Sequence, residues 1–391
     1  MKISKLISGA FILAGAAATQ AQNLPVFKIG VVTAATGPAA TIAGPANQAI
    51  ELYREQLAAQ KGLPFKVEFV QYDDASDPTK SVNLVRKLIQ EDGAAMVICC
   101  TTTPSSLAVA KVSETGETPT ISMSASAAVV EPPSEKRYMF KTPITERLML
   151  DYTLDYMVKH GVKTLSFLGL DDAYGEGGWV EMKPLAEKKG IKIVSSERFG
   201  RSDTNFTPQA LKTLQAKADA VYIHAVPPSA SLIHEALKRV GYRGPIYHGA
   251  GAPTNAFITI GKSAVEGAIV GATPITVYKE LSADNPLSKS IGAFVKAYDG
   301  KYGEGKAELF ATQGYDAVGL AVDTIKRYTA AGKKGDLAQT RKDLRDELER
   351  TREYAGSVGI FNYSPTDHVG LDKRTLFLVQ VKDGQFRMIK D

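Results

Sequence analysis

Cysteine is almost absent from this chain of 391 residues: there are two, and they are the neighbours Cys99 and Cys100. Two adjacent cysteines cannot supply the set of disulfides that stabilises small secreted domains. A disulfide between neighbouring residues is strained, and the chain offers neither cysteine another partner. We therefore predict two buried thiols that pack as small apolar side chains at the end of a strand.

The motifs of common catalytic and cofactor sites are also missing. The sequence contains no G-x-x-x-x-G-K-[ST], no G-x-S-x-G and no H-E-x-x-H, because His234-Glu235 is followed by Ala-Leu-Lys. Gly249-Ala250-Gly251 begins like a dinucleotide-binding turn, but Thr254 stands where a third small residue is required. The five histidines show no metal-ligand spacing. We expect no enzyme activity, no cofactor and no metal.

A strong charge of one sign is absent as well. Lys and Arg number 47 against 42 Asp and Glu, for a formal net charge of +5. The stretch from Lys326 to Arg352 mixes both signs and is interpreted as a solvated helix face. No dense basic block predicts nucleic-acid binding, and after residue 21 no apolar run is long enough to span a membrane as a helix.

The N-terminus carries an export signal. Lys2 and Lys5 precede an apolar run over residues 6–18, and Thr19-Gln20-Ala21 ends in a small residue suited to cleavage. This run is too short to anchor the chain in a membrane. No cysteine follows it that could carry a lipid anchor. We therefore predict a cleaved signal peptide over residues 1–21 and a released protein that the outer membrane retains in a Gram-negative periplasm.

Strands and helices alternate twice along the remaining chain. Apolar strands and amphipathic helices follow one another from Phe27 to Met123, and the same rhythm restarts at Leu148. This order predicts an α/β protein with two doubly wound parallel-sheet lobes. Crossings near residues 142–143, 271–274 and 356–359 predict a three-strand hinge. They predict a first lobe of residues 22–142 and 274–356, and a second lobe of residues 143–273 and 357–391.

Two helices in the first half of the chain are predicted to begin with a proline. Asp77-Pro78 and Thr103-Pro104 each place a capping residue before a proline at the first helical position. Asp73 and Asp74 look like a carboxylate pair for acid/base chemistry, but we interpret them as turn residues. Ligands of open α/β sheets bind beyond the carboxyl ends of the strands. We therefore expect a site built from residues 101–106, 122–127, 171–177, 225–229 and 248–255.

At these strand ends the chain resembles the leucine/isoleucine/valine-binding class of periplasmic substrate-binding proteins. The resemblance covers the whole chain after the signal in order. It is carried by Ile29-Gly30, Thr36-Gly37-Pro38, the stretch from Tyr72 to Pro78, residues 101–106, Ile121-Ser122, Ala125-Ser126, Tyr174-Gly175-Glu176-Gly177, Asp203, Asn205-Phe206-Thr207 and Val265-Glu266-Gly267. It implies a type I periplasmic-binding fold, hinge closure on the ligand, and delivery to the membrane permease of an ABC importer by a monomer.

The resemblance also implies roles for individual residues. Thr103, predicted as the cap of its helix, would bond the ligand carboxylate, helped by the helix N-terminus. Ser124 and Ser126 would add donors to the same end, and Tyr174 would form an aromatic wall in the second lobe. The alternatives are an ordinary helix cap, loop polarity and a half-buried surface tyrosine. Further ligand-binding positions on these loops are Thr102, Ala125, Val226, His248 and Ala250.

Two positions depart from the family pattern. Ala250 stands where amino-acid binders hold the ligand ammonium with an acid, and Val226 replaces an expected aromatic residue. An alkylammonium buried without an acid would cost several kcal/mol. We therefore predict a carboxylate without an α-amino group, such as an aromatic acid. His224 and His248 would bond a ring substituent or be satisfied strand-end histidines. The alternatives are an amino-acid binder of the same family and a sensor feeding a receptor or regulator.

Overall fold

Five parallel strands form the sheet of the first lobe in the computed structural model, which describes residues 24–390. They are β1 (Val26–Thr33), β2 (Lys66–Asp73), β3 (Met96–Cys99), β4 (Thr120–Ser122) and β5 (Met139–Lys141), in the spatial order β2-β1-β3-β4-β5. The helices between them are α1 (Ala40–Ala59), α2 (Pro78–Gln90) and α3 (Thr103–Thr115), with a 3₁₀ turn at Ala127–Val129. The predicted signal peptide lies outside the described residues.

The second lobe repeats this strand order. Its parallel strands are β6 (Thr164–Leu170), β7 (Lys192–Phe199), β8 (Ala220–His224), β9 (Ile246–His248) and β10 (Ile269–Ala272), arranged β7-β6-β8-β9-β10. Its helices are α4 (Glu146–Lys159), α5 (Ala173–Lys188), α6 (Thr207–Gln215), α7 (Ser229–Arg239) and α8 (Asn255–Gly261), followed by a 3₁₀ turn at Lys262–Val265. In each lobe, the chain reverses its winding direction between the first and third strands, where open α/β sheets form binding crevices.

The chain then returns to the first lobe before it ends in the second. After a 3₁₀ segment at Pro274–Glu280 come α9 (Ser288–Tyr302), α10 (Leu309–Ala330) and α11 (Leu337–Glu349), and a small hairpin of β11 (Tyr354–Ala355) and β12 (Ile360–Phe361). A last 3₁₀ turn at Lys373–Thr375 leads to β13 (Phe377–Lys382) and β14 (Gln385–Met388). β13 pairs with β10 and β14 with β13, both antiparallel, so the second sheet is mixed at this edge.

The third crossing lies further along the chain than the sequence indicates. Val358, Phe361, Tyr363 and Leu376 pack in the core of the first lobe, and the strand that joins the second sheet begins at Phe377. The sequence analysis instead predicts the change of lobe at residue 357. The short β11–β12 hairpin and the loop after it explain the difference, since both are covered by the first lobe.

The predicted bonding state of the two cysteines is wrong. Cys99 and Cys100 are fully buried at the end of β3, as expected, but a disulfide joins them. The peptide bond between them is cis and their Cα atoms lie 3.0 Å apart. The two Sγ atoms therefore lie on the same side of the chain, whereas successive side chains of an ordinary strand point to opposite faces.

The helix starts follow the predicted pattern with one shift. Asp77 caps α2, and its carboxylate accepts hydrogen bonds from the backbone N–H groups of Thr79 (2.7 Å) and Lys80 (3.2 Å). At α3 the cap is Thr102 rather than Thr103: the Thr102 hydroxyl accepts from the N–H of Ser105, and Thr103 is the first helical residue. Within residues 24–390, no helix is both long and apolar enough to cross a bilayer.

Candidate ligand-binding site

A cavity lies between the two lobes. Most of its lining residues follow the carboxyl ends of strands in both sheets, as expected for paired α/β lobes. The first lobe and the first crossing contribute Ile42, Thr101, Thr102, Thr103, Met123, Ser124, Ala125, Pro143, Ile144, Thr145, Glu146, Leu309, Phe310, Gln313 and Val358. The second lobe contributes Met149, Tyr174, Arg201, Tyr222, His224, Val226, Ala250, Gly251 and Thr273.

The structure shows the two lobes closed around this cavity. Of the lining residues, only Ala125, Arg201, Ala250 and Gly251 are half-buried, and the others are buried. Side chains of the first lobe, Ala34, Ala39, Ile42 and Ala43, belong to the continuous apolar cluster of the second lobe. Closure therefore brings apolar surfaces of both lobes together beside the cavity.

Hydroxyl groups dominate the wall formed by the first lobe. Behind the cavity, the hydroxyl of Ser122 bonds those of Ser106 and Ser124, both at 2.9 Å. The Thr103 hydroxyl is different, because it is buried in the wall and has no partner in the protein. It lies in the first turn of α3, where backbone N–H groups favour an anion. This wall can therefore donate hydrogen bonds to an anionic group.

Two buried charged side chains, Lys141 and Glu146, stand beside this wall. Lys141 is fully buried, and its ammonium donates to the backbone carbonyls of Ala125, Ser126 (3.2 Å) and Ile144 (3.4 Å). Burial lowers the pKa of Lys141 to about 8, while the Glu146 carboxylate opposes that change. Burial raises the pKa of Glu146, against the effects of Lys141 and of the Ala127 N–H, which donates to it at 2.8 Å. The Lys141 charge thus partly offsets that of the acid that lines the cavity.

The wall formed by the second lobe is aromatic. The Tyr174 ring stacks on His224 with their centroids 4.3 Å apart and an interplanar angle of 26°, and the Tyr222 ring is nearly parallel to the imidazole with its centroid 6.2 Å away. Burial lowers the pKa of His224 to about 4, so its imidazole is neutral near pH 7. Both ring nitrogens are buried without a partner in the protein.

Arg201 adds a cation near the half-buried opening. It follows β7, and its guanidinium donates to the Asp172 carboxylate through Nε (3.0 Å) and Nη2 (2.6 Å). Asp172 also caps α5, accepting from the N–H groups of Tyr174 (2.9 Å) and Gly175 (3.1 Å). The ion pair therefore fixes the first turn of the helix that carries Tyr174.

Seven of the nine predicted site residues line the cavity. They are Thr102, Thr103, Ser124, Ala125, Tyr174, Val226 and Ala250. The Ser126 hydroxyl instead accepts from the N–H of Ala128 at 3.3 Å, capping the 3₁₀ turn outside the cavity. His248 is buried behind the wall, where its Nε2 lies 2.8 Å from Nδ1 of His234. Ser126 and His248 therefore do not line the cavity, contrary to the prediction.

Glu146 and Arg201 are the charged lining residues that the sequence analysis missed. The prediction started α4 at Leu148, but Thr145 caps the helix by accepting from the Leu148 N–H at 3.3 Å, which places Glu146 in the first turn. The Thr145-Glu146 pair was the available signal. Arg201 lies two residues after a strand and could have been found from that position. Among the described residues, no group of three or more His, Cys, Asp or Glu side chains is arranged to hold a metal.

Comparisons with known proteins agree with this architecture. A family model for periplasmic binding proteins matches residues 26–385. The leucine-, isoleucine-, valine-, threonine- and alanine-binding protein of Pseudomonas aeruginosa is 24% identical over 328 residues, 83% of this chain and 84% of that protein. An extracellular ligand-binding receptor from Rhodopseudomonas palustris HaA2 is 32% identical, with a TM-score of 0.86 over 93% of this chain and 99% of that one.

A more distant structure shows the same fold. The branched-chain amino acid transporter substrate-binding protein of Streptococcus pneumoniae, solved with isoleucine, has a TM-score of 0.78 at 20% identity, over 94% of this chain and 100% of that one. Two lobes of equal strand order close on one cavity, and the family model spans nearly the whole described chain. This chain therefore belongs to the periplasmic binding protein family.

Proposed function

We propose that this protein is the substrate-binding component of an ABC importer and that it captures a small carboxylate without an α-amino group, of which aromatic acids are the class the cavity suits. The proposal rests on which polar groups around the cavity already have a partner in the protein and which do not. The wall of the first lobe offers the unpartnered Thr103 hydroxyl at a helix N-terminus. Glu146 also lines the cavity, but the buried Lys141 ammonium partly offsets its charge, and Ala250 supplies no charge.

The side chains that line the cavity support an aromatic ligand. Tyr174, Tyr222 and His224 present near-parallel rings on one side. Apolar side chains, among them Met123, Met149 and Phe310, line much of the remainder. A flat apolar ring buried among such groups gains both burial and stacking, while hydrogen-bond donors at one end fix its direction. A monomer that docks its closed form on a membrane permease is part of the same proposal.

An amino-acid ligand is the second candidate, and one observation favours it. The Glu146 carboxylate lines the cavity, and an ammonium placed beside it would gain a charged partner. Against this, the lysine already opposite Glu146 would repel that ammonium. Glu146→Gln separates the two candidates, because it should abolish amino-acid binding and leave the binding of a plain carboxylate within about tenfold.

The direct test is a calorimetric screen of the purified protein, freed of co-purified ligand by unfolding and refolding. Benzoate, 3-phenylpropanoate, leucine, isoleucine and valine are titrated under the same conditions. The proposal expects micromolar or tighter binding of at least one aromatic acid and no heat of binding from the three amino acids. Tight leucine binding without aromatic-acid binding would show that the ligand assignment is wrong.

We also propose that the chain catalyses no reaction. Its family consists of binding proteins, and the sequence holds none of the catalytic motifs sought. Mass spectrometry of the bound acid after prolonged incubation should recover it unchanged. A new product formed in proportion to the protein concentration would contradict this.

A further inference from the structure

His224 is a buried polar side chain that the fold leaves without a hydrogen bond. It is 2% exposed, and neither ring nitrogen has a partner in the protein. Buried polar groups in folded proteins nearly always have a partner. The nearby buried pair, His234 and His248, is different, because each ring uses one nitrogen in the bond between them and leaves only the other unpartnered. His224 lines the ligand cavity and these two do not.

We infer that His224 binds a hydroxyl substituent on the ligand, so that the preferred ligand is an aromatic acid hydroxylated on its ring. This inference rests on the proposed capture of an aromatic carboxylate and names the ligand class more closely. A neutral imidazole offers one donor and one acceptor. The two nitrogens lie on different edges of the ring, so one ligand group meets only one of them. A hydroxyl can pair with either the donor or the acceptor, whereas an ammonium only donates and a carboxylate only accepts.

The two lobes divide the ligand between them. Thr103 and Ser124 lie on the wall of the first lobe, while His224 ends β8 in the second lobe. A ligand whose carboxylate meets the hydroxyl wall therefore directs its far end towards the aromatic wall. There the Tyr174 ring covers one face of the imidazole and holds its orientation.

Glycines keep side chains away from both imidazole nitrogens. A Cβ on Gly178 of α5 would lie 2.6 Å from Nε2 of His224, and a Cβ on Gly249 would lie 3.1 Å from its Nδ1. Any larger residue at these positions would crowd the ring. Neither glycine offers the imidazole a hydrogen bond, so its donor and its acceptor stay unused within the protein. Leaving such a group unpaired after closure penalises a ligand that lacks the hydroxyl.

The experiment compares acids that differ only in the substituent. Calorimetry measures the dissociation constants of benzoate, 4-methylbenzoate and the three hydroxybenzoates, and of 3-phenylpropanoate and its ring-hydroxylated forms. The proteins are the unaltered chain, His224→Phe, His224→Gln and the surface control His160→Phe. Phe keeps the ring stack without nitrogens, while Gln keeps one donor and one acceptor. Thermal unfolding verifies that each variant folds, and the ligand series with the unaltered chain remains decisive if one does not.

We expect at least one hydroxylated acid to bind tenfold or more tightly than its unsubstituted and methylated counterparts. This preference should fall below twofold in His224→Phe and persist in His224→Gln and His160→Phe. Equal binding of hydroxylated and unsubstituted acids, or a preference that survives in His224→Phe, would overturn the role of His224 while leaving the carboxylate function intact. If no aromatic acid binds at all, the proposed function fails, and this inference fails with it.

Discussion

Replacing Thr103 by valine should separate ligand binding from stability. The Thr103 hydroxyl is buried, lines the cavity and bonds nothing in the protein. Valine has nearly the same volume and shape, so the free protein loses no hydrogen bond. Replacing a buried unpaired polar atom by an apolar one of the same shape is neutral or stabilising. We therefore expect the free energy of unfolding without ligand to stay within about 0.5 kcal/mol of its original value or to rise.

The bound state should lose much more. A hydrogen bond to a charged group contributes about 1.5–3 kcal/mol. At about 1.4 kcal/mol for each tenfold change in Kd, the substitution should weaken carboxylate binding roughly 10- to 150-fold. Isothermal calorimetry with the tightest acid found in the screen measures this change, and urea unfolding measures the stability.

Thr33→Val is the matched control for this experiment. The Thr33 hydroxyl is likewise buried without a partner, but Thr33 does not line the cavity. Its substitution should leave the Kd unchanged. If Thr103→Val binds the acid as tightly as the original protein, or if Thr33→Val weakens binding equally, the assignment of the hydroxyl wall to the carboxylate is refuted.

Three further outcomes follow from the structure. A Cβ on Gly177 would lie 2.9 Å from Glu146 Oε1 and from Ser126 Oγ, so Gly177→Ala should hold the two lobes apart and weaken ligand binding about tenfold. Calorimetry measures the binding, and X-ray scattering with ligand should show a larger radius of gyration. Lys141→Met should lower the free energy of unfolding in urea by about 3–5 kcal/mol, because it leaves Glu146 buried without its cation, and adding Glu146→Gln should restore part of that loss. Burial lowers the pKa values of His224, His234 and His248 in the folded state. Their contribution to stability is therefore present above about pH 6.5 and is lost as the pH falls, by up to about 1.4 kcal/mol per pH unit for each histidine. A melting temperature that stays constant between pH 7 and pH 4.5 would contradict this.

The sequence predicted the architecture because local signals were strong and repeated. Alternating strands and helices, with a cap and proline before α2, specify two doubly wound sheets. Short elements were harder: β5 has three residues, Met139–Lys141, and follows a loop with two prolines. So few residues carry no periodicity, and only pairing with β4 makes them a strand.

The site was predicted as a set of loops but not atom by atom. Thr102 and Thr103 are both suitable caps before Pro104, and only the backbone geometry shows that Thr102 serves and that Thr103 is left unpaired. His248 ends its strand at the predicted edge of the sheet, yet its side chain points to His234. Side-chain direction at a strand end depends on the neighbouring helices, which a single sequence does not place.

The apolar contact between the lobes has a thermodynamic consequence for every ligand that this protein closes on. Ala39, Ile42 and Ala43 of the first lobe are buried in the apolar cluster of the second lobe. An open form must expose this surface to water, so ligand-induced closure removes it and lowers the heat capacity by more than burial of the ligand alone. That part of the driving force is the same for all ligands. The apolar contact between the lobes therefore adds the same free energy to the binding of every ligand, and the polar groups of the cavity determine which ligand binds most tightly.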